Sequence, residues 1–160
     1  MRRRIAPTLI IVLLFSLCGC QHRASSTDTV SFFYRTEAID FNTHKSIIQE
    51  EKISKQNLPD NLQQLLELYL SGPQTEGLYC PIPQTVSVQN VQRTDNSINV
   101  LLSTNFSQLN GIDLSVACIC LGKTLLSCTD VQMIKIQAES AKLDGESSVV
   151  ITPESTLMLD

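Results

Sequence analysis

The chain has 160 residues and a mass of 17.7 kDa, with 42% hydrophobic, 18% charged and 5% aromatic residues. This length is enough for one ordinary domain and excludes a multidomain enzyme. The 12 basic and 16 acidic residues give a net charge of -4, and no basic stripe offsets it, which excludes nucleic acid as a partner. The sequence has no Trp and its only histidines are His22 and His44, which leaves few routes to histidine-based catalysis or metal binding.

The N-terminus predicts an export signal. Three arginines at positions 2–4 precede an apolar run over residues 9–18, which fits a secretory segment and is shorter than the ~20 residues of a membrane-spanning helix. Residues 17–20 read LCGC and resemble the lipobox of bacterial lipoproteins, in which the last Cys is acylated before cleavage in front of it. The resemblance implies that Cys20 carries the lipid.

These signals divide the chain into three parts. Residues 1–19 are the predicted lipoprotein signal peptide, residues 20–29 the lipidated Cys and a polar tether, and residues 30–160 a single domain. Loss of the signal leaves nine basic against 16 acidic residues, a net charge of -7. Acyl chains such as palmitate anchor a protein stably, so we expect the mature chain on the outer face of the plasma membrane.

The first half of the domain predicts two strands and a helix. The aromatic and β-branched run at residues 30–35 and the segment at 46–54 favour strands joined by a turn at 42–44. A helix with leucines at steps of three and four follows, with Asn57 as its predicted N-cap. Gly72, followed by Pro73, predicts its end.

The second half of the domain again predicts two strands and a helix, followed by further strands. Residues 85–103 predict a hairpin with a bulge near Asn90, and Asp113 is the predicted N-cap of a buried helix. The remaining predicted elements are that helix over 114–126, strands at 131–139 and 149–151, and a short edge strand at 156–159. The order ββ-α-ββ-α-β(β) indicates an α+β fold in which two helices pack on one face of a mixed β-sheet.

Several of these segments resemble the GerM domain, the sporulation and spore-germination domain of bacterial envelope lipoproteins. The resemblance covers roughly residues 30–152 and rests on LSGP at 70–73, GL at 77–78, PIP at 81–83, Val86 and Val88, INVLLS at 98–103 and NF at 105–106. It implies a single copy of a non-catalytic module that takes part in an envelope assembly, with channel or envelope proteins of sporulation or germination as partners.

Four cysteines in the domain raise a rival hypothesis, a thiolate metal site or redox centre formed by Cys80, Cys118, Cys120 and Cys128. On a helix, residues i and i+2 point about 200° apart, so Cys118 and Cys120 cannot both coordinate the same metal ion. Their apolar context favours buried, unreactive thiols. A Cys80–Cys128 disulfide is the remaining candidate, since exported proteins form such bridges.

No catalytic group emerges from the other residues. Glu50 and Glu51 are neighbours on a predicted strand and face opposite sides, which makes them a poor carboxylate pair. His44 lies in the predicted turn and His22 in the tether, where solvated side chains are expected. We therefore expect no enzyme, cofactor, metal or small-molecule substrate. The interpretation is a lipid-anchored interaction module, and a small-ligand or cell-wall binding lipoprotein is the alternative.

Overall fold

The structure is a computed structural model and describes residues 28–36 and 46–156 of the chain. The strands are β1 (Thr29–Thr36), β2 (Ile48–Ser54), β3 (Leu78–Tyr79), β4 (Val88–Arg93), β5 (Ser97–Leu102), β6 (Met133–Ala138) and β7 (Val149–Ile151). The helices are α1 (Leu62–Leu70), α2 (Gly111–Cys128) and α3 (Pro153–Thr156), with 3₁₀ turns at Lys55–Asn57 and Thr104–Gln108. The α+β class is confirmed, and so is the predicted order of the main elements.

The strands form two sheets, where the sequence predicted one. The three-stranded sheet has the order β2-β1-β3, and the four-stranded sheet has the order β4-β5-β6-β7. The second sheet is mixed as expected, since β5 and β6 are parallel while β4–β5 and β6–β7 are antiparallel. The predicted bulge is present, as a register shift between Val88 and Asn90.

Helix α2 covers the part of β1 that β3 leaves unpaired. Strand β3 pairs with β1 only at Arg35 and Thr36. Further along β1, the backbone N–H of Phe33 donates to Thr124 Oγ1 at 2.9 Å, and that of Ser31 donates to Ser127 Oγ at 2.8 Å. Both donors are therefore satisfied by helix side chains, where an added strand would otherwise pair with them.

The core lies between the helices and the two sheets. Period-2 alternation in β5 and β6 turns Ile98, Val100, Ile134 and Ile136 inward, each 0% exposed. Leu65, Leu66 and Tyr69 of α1 join the same cluster, as do Leu121 and Leu125 of α2. Helix α2 is long and apolar enough to cross a membrane by composition, but half of it is buried inside the domain, as in a core helix of a globular protein.

Helix α1 begins later than the sequence predicted. Asn57 ends a 3₁₀ turn, and the N-cap is Asn61, whose side-chain oxygen accepts from Gln63 N at 2.7 Å. The cause is Pro59, because the residue before a proline disfavours helical backbone and Leu58 is extended. The predicted end is confirmed, since Gly72 has a φ of +94°.

Three smaller predictions have other outcomes. Helix α2 begins at Gly111 with Asn110 as N-cap, so Asp113 lies within the first turn. Thr156 ends helix α3, and the rest of the predicted edge strand at 156–159 lies outside the described residues. The predicted turn at 42–44 also lies outside them.

Candidate functional site

The four-stranded sheet has a second face that neither α1 nor α2 covers in the described part of the chain. Its side chains alternate with the buried ones and are exposed or half-buried. We call this surface the outer face, and its members are Asn90, Gln92, Ser97, Asn99, Leu101, Met133, Lys135, Gln137 and Val150. The pairing registers place them on one continuous surface across all four strands.

The outer face has the composition of a protein interface. Lys135 is the only charged side chain among its members, in a chain of which 18% is charged. Met133 is 37% exposed and Val150 is 47% exposed, and Leu101 lies between them and the amides of β4. Depletion of charged residues and the presence of Met are features of the centre of protein–protein interfaces.

The sheet edges are less suited to pairing with another chain. Edge strand β2 carries Glu50 and Lys52, which form an ion pair at 3.7 Å on an exposed surface. Edge strand β4 is bulged and ends at Arg93, which pairs with Asp130, and β7 has only three residues. Charges, bulges and short length are the devices that protect sheet edges from strand addition.

The structure separates the two helical cysteines as their spacing predicted. Cys118 faces the main core, whereas Cys120 packs with Ile48 and Val116 in a smaller cluster. Burial raises the pKa of each of these two thiols to about 12. Among the described residues no three His, Cys, Asp or Glu side chains are grouped so that they could hold a metal ion.

Cys80 and Cys128 are free thiols in the structure. Cys80 follows Tyr79, which pairs with one end of β1, and Cys128 is the last residue of α2. Both side chains are half-buried. The Cys80–Cys128 bridge stays a prediction.

The two adjacent carboxylates face opposite sides of β2, as the sequence predicted. Glu50 is exposed and accepts from Ser31 Oγ at 2.6 Å, whereas Glu51 is buried. The burial of Glu51 is the feature that the sequence did not reveal, because the apolar alternation of β2 is irregular. The outer face could have been deduced from sequence, since inward Ile98 and Val100 place Asn99 and Leu101 outward.

Cys20 lies outside the described residues, so its lipidation stays a prediction. The first described residue is Asp28, whose carbonyl accepts from Lys55 N at 2.9 Å. This contact fixes the start of β1 against the 3₁₀ turn that follows β2. In the sequence, seven residues lie between Cys20 and Asp28.

Comparison with known proteins defines the family. The Germane family, described as sporulation and spore germination, matches residues 32–144. The chain belongs to this family, and the GerM-type domain expected from its motifs is confirmed. No curated protein matches the sequence.

Two solved structures are similar to the chain. One contains the tandem GerMN domains of the sporulation protein GerM from Bacillus subtilis, at 14% identity and a TM-score of 0.56, covering 79% of this chain and 46% of that one. The chain thus spans about half the length of that tandem structure, and the similarity establishes the fold. The other is a crystal structure of a candidate lipoprotein from Clostridium perfringens, at 17% identity and a TM-score of 0.46, covering 84% of this chain and 95% of that one.

Proposed function

We propose that this protein is a lipid-anchored extracytoplasmic lipoprotein whose domain is a non-catalytic interaction module in an envelope assembly of sporulation or germination. The family supports the link to sporulation. The observation that carries the interaction role is the outer face, an open sheet surface with a single charged member. Its partner is a protein of the same envelope space that presents a flat, uncharged surface.

The predicted anchor explains why such a surface can act without high intrinsic affinity. Seven residues lie between Cys20 and Asp28, and the eight Cα-to-Cα steps reach at most about 28 Å from the bilayer. A partner held on the same membrane meets the outer face at a high effective concentration. The isolated domain can therefore be monomeric while the native lipoprotein is assembled.

The described side chains favour binding over turnover. The Cys118 and Cys120 thiols are buried and their pKa values are raised. The adjacent carboxylates Glu50 and Glu51 are on opposite faces of β2. The family is described by sporulation and germination and not by a reaction. The alternative, a small-ligand binding lipoprotein, is favoured by one observation, a concave pocket at Glu51.

The anchor is tested by detergent partitioning of the full chain in a bacterial host. We expect the native chain in the detergent phase with labelled palmitate incorporated, and Cys20→Ala in the aqueous phase without label. Cys18→Ala is the matched control and should retain both properties. Equal partitioning of the native chain and Cys20→Ala would contradict the anchor.

The interaction role is tested by a photo-crosslinking residue at Leu101, with a second one at exposed Gln49 of β2 as control. In sporulating cells we expect Leu101 to capture an envelope protein and Gln49 not to capture it. Leu101→Lys should abolish the complex and leave the purified domain folded, because the side chain points to solvent. Capture from Gln49 alone, or an intact complex with Leu101→Lys, would overturn the proposal.

A further inference from the structure

A concave pocket of about 360 Å³ lies between the β1–β2 hairpin and the C-terminal end of α1. Its lining includes Phe32, Tyr34, Glu51, Asn57, Leu68 and Ser71. It is separate from the outer face, since none of these residues belongs to the four-stranded sheet. Six of its eleven lining residues are polar, including Lys52, Ser54 and Gln74. The polar groups converge on one concave space, which is a feature of small-ligand sites.

Glu51 gives this pocket a buried and rigidly held carboxylate. The residue is 8% exposed. Its Oε1 atom accepts three hydrogen bonds, from Gln74 N at 3.0 Å, Thr75 N at 2.7 Å and Thr75 Oγ1 at 2.6 Å. These donors belong to the loop that follows α1, so the carboxylate is fixed before any ligand arrives.

The second oxygen of Glu51 is open. Within the described residues Oε2 accepts no hydrogen bond, and Thr36 Oγ1 is the only fully enclosed side-chain polar atom without a partner. Oε2 is therefore not fully enclosed, and its residue lines the pocket. A polar atom held in this way is an acceptor ready for an external donor.

The charge of Glu51 is also uncompensated within the described part of the chain. The ion pairs there are Arg35–Asp113, Lys52–Glu50 and Arg93–Asp130, and the donors to Oε1 are neutral. Buried charges in proteins are ordinarily paired. The neighbouring Lys52 also lines the pocket, but its ammonium pairs with the exposed Glu50 at 3.7 Å, and within the described residues no ion pair joins it to Glu51.

The surrounding groups define the chemical class of the ligand. Phe32 and Tyr34 are each 1% exposed, so the apolar surface open to a ligand comes mainly from Leu68, which is 36% exposed. A short alkyl chain gains apolar contact there. The hydroxyl of Ser71 and the amide of Asn57 add polar groups to the lining. A primary alkylammonium group has a positive charge that can pair with Glu51, N–H donors for Oε2 and an alkyl chain for the apolar part of the lining.

We propose that this pocket binds a primary alkylammonium group, with Glu51 Oε2 accepting a charge-assisted hydrogen bond from the nitrogen. The alkyl chain lies mainly against Leu68, the most exposed apolar residue of the lining. The ammonium can belong to a free amine or to a lysine side chain of a peptide, since both present the same chemistry. The site does not depend on the proposed assembly role of the outer face.

The test is an NMR titration of the full-length chain in detergent micelles, with n-pentylammonium as the probe and n-pentanol as its neutral match. The amides of Gln74 and Thr75 are the reporters, because they donate to the same carboxylate. We expect saturable shifts with pentylammonium and at least tenfold weaker binding of pentanol. N-acetyl-lysine methylamide, compared with pentylammonium, distinguishes a peptide source from a free amine by which one binds more tightly.

Two matched variants assign the effect to the carboxylate. Glu51→Gln keeps an oxygen for the three donors and removes the charge, so pentylammonium affinity should fall at least tenfold. Glu50→Gln makes the same change on the opposite face of β2 and should leave the affinity unchanged. Leu68→Trp fills the pocket from its exposed side and should abolish binding with the carboxylate intact, which provides the test if Glu51→Gln does not fold.

Three results would overturn the proposal. They are the absence of saturable shifts in the native chain, equal binding of pentylammonium and pentanol, and unchanged affinity in a folded Glu51→Gln or Leu68→Trp variant. The first result would assign Glu51 a structural role only, as the residue that ties the loop after α1 to β2. None of these results bears on capture of a protein by the outer face.

Discussion

The two sheets of this domain differ in what they add to apolar packing. In the four-stranded sheet, aliphatic side chains such as Val100 and Ile136 alternate inward and are 0% exposed. In the three-stranded sheet, Phe32 and Tyr34 are also buried in the core, and helix side chains in addition bond to the backbone of β1. Phe33 N donates to Thr124 Oγ1, and the Tyr69 hydroxyl donates to Phe33 O at 3.1 Å.

The difference explains which sheet remains available for binding. Aliphatic packing uses only the inner face of the four-stranded sheet, because the outward residues of each strand make no contribution to it. The three-stranded sheet is engaged at its edge by α2 and is further joined to α1, where Tyr34 and Tyr69 stack at 5.0 Å between ring centroids. The three-stranded sheet thus joins the two long helices, whereas the outer face of the four-stranded sheet is uncovered in the described part of the chain.

The largest effect is expected from removing aliphatic volume in the four-stranded sheet. Ile136→Ala should lower the free energy of unfolding by about 3 to 4 kcal/mol, because it removes buried methyl groups and leaves a cavity. Lys135→Ala, one residue away on the outer face, should change it by less than about 0.5 kcal/mol. Urea denaturation of both variants checks the contrast, and similar losses would show that the two faces are not packed differently.

A smaller effect is expected from removing one polar contact in the three-stranded sheet. Thr124→Val keeps the shape of a side chain that is 1% exposed and leaves Phe33 N–H without its acceptor, at a cost of about 2 kcal/mol. Ser127→Ala is the control, since water can replace the hydroxyl at its exposed contact with Ser31. Equal losses in denaturation for Thr124→Val and Ser127→Ala would contradict the role of burial.

The same contrast separates what the sequence could and could not predict. Strands β5 and β6 are predictable because burial follows a strict period of two within each segment. The packing of α2 along β1 is not, because it depends on Thr124 and Ser127 reaching donors 91 and 96 residues away in the chain. No local pattern indicates that these hydroxyls occupy the edge of β1.

The candidate sites follow the same rule. The outward positions of the four-stranded sheet follow from the strand period, so the outer face is predictable in principle. The pocket at Glu51 is not, because its carboxylate is fixed by Gln74 and Thr75, which lie 23 and 24 residues further along the chain. A charged residue in an irregular strand otherwise predicts a solvated position.

The joint between α2 and the four-stranded sheet provides a third, smaller test. A Cβ atom on Gly122 would lie 2.5 Å from Ile151 Cγ2 of β7. Alanine is favoured over glycine in a helix by about 1 kcal/mol, but overpacking costs about 1 to 3 kcal/mol, so Gly122→Ala should destabilise by about 1 kcal/mol. Combining it with Ile151→Ala should give less than the additive loss. Stabilisation by Gly122→Ala alone would show that Ile151 can move aside.

The smallest expected effect is a decrease in the free energy of unfolding at alkaline pH. It reports the burial of the Cys118 and Cys120 thiols on two sides of α2. Burial raises the pKa of the Cys118 and Cys120 thiols from 9.0 to about 12. As pH rises past 9.0, the unfolded state ionises and the folded state does not, so stability is present in full below that pH and decreases above it. At pH 9 each thiol should contribute a loss of about 0.4 kcal/mol relative to neutral pH.

Urea denaturation at pH 7.5 and pH 9 with a reductant measures the loss, and Cys118→Ala and Cys120→Ala should each remove one thiol's share of it. If neither variant changes the pH dependence, the thiols are not buried against the two clusters that the structure assigns to them.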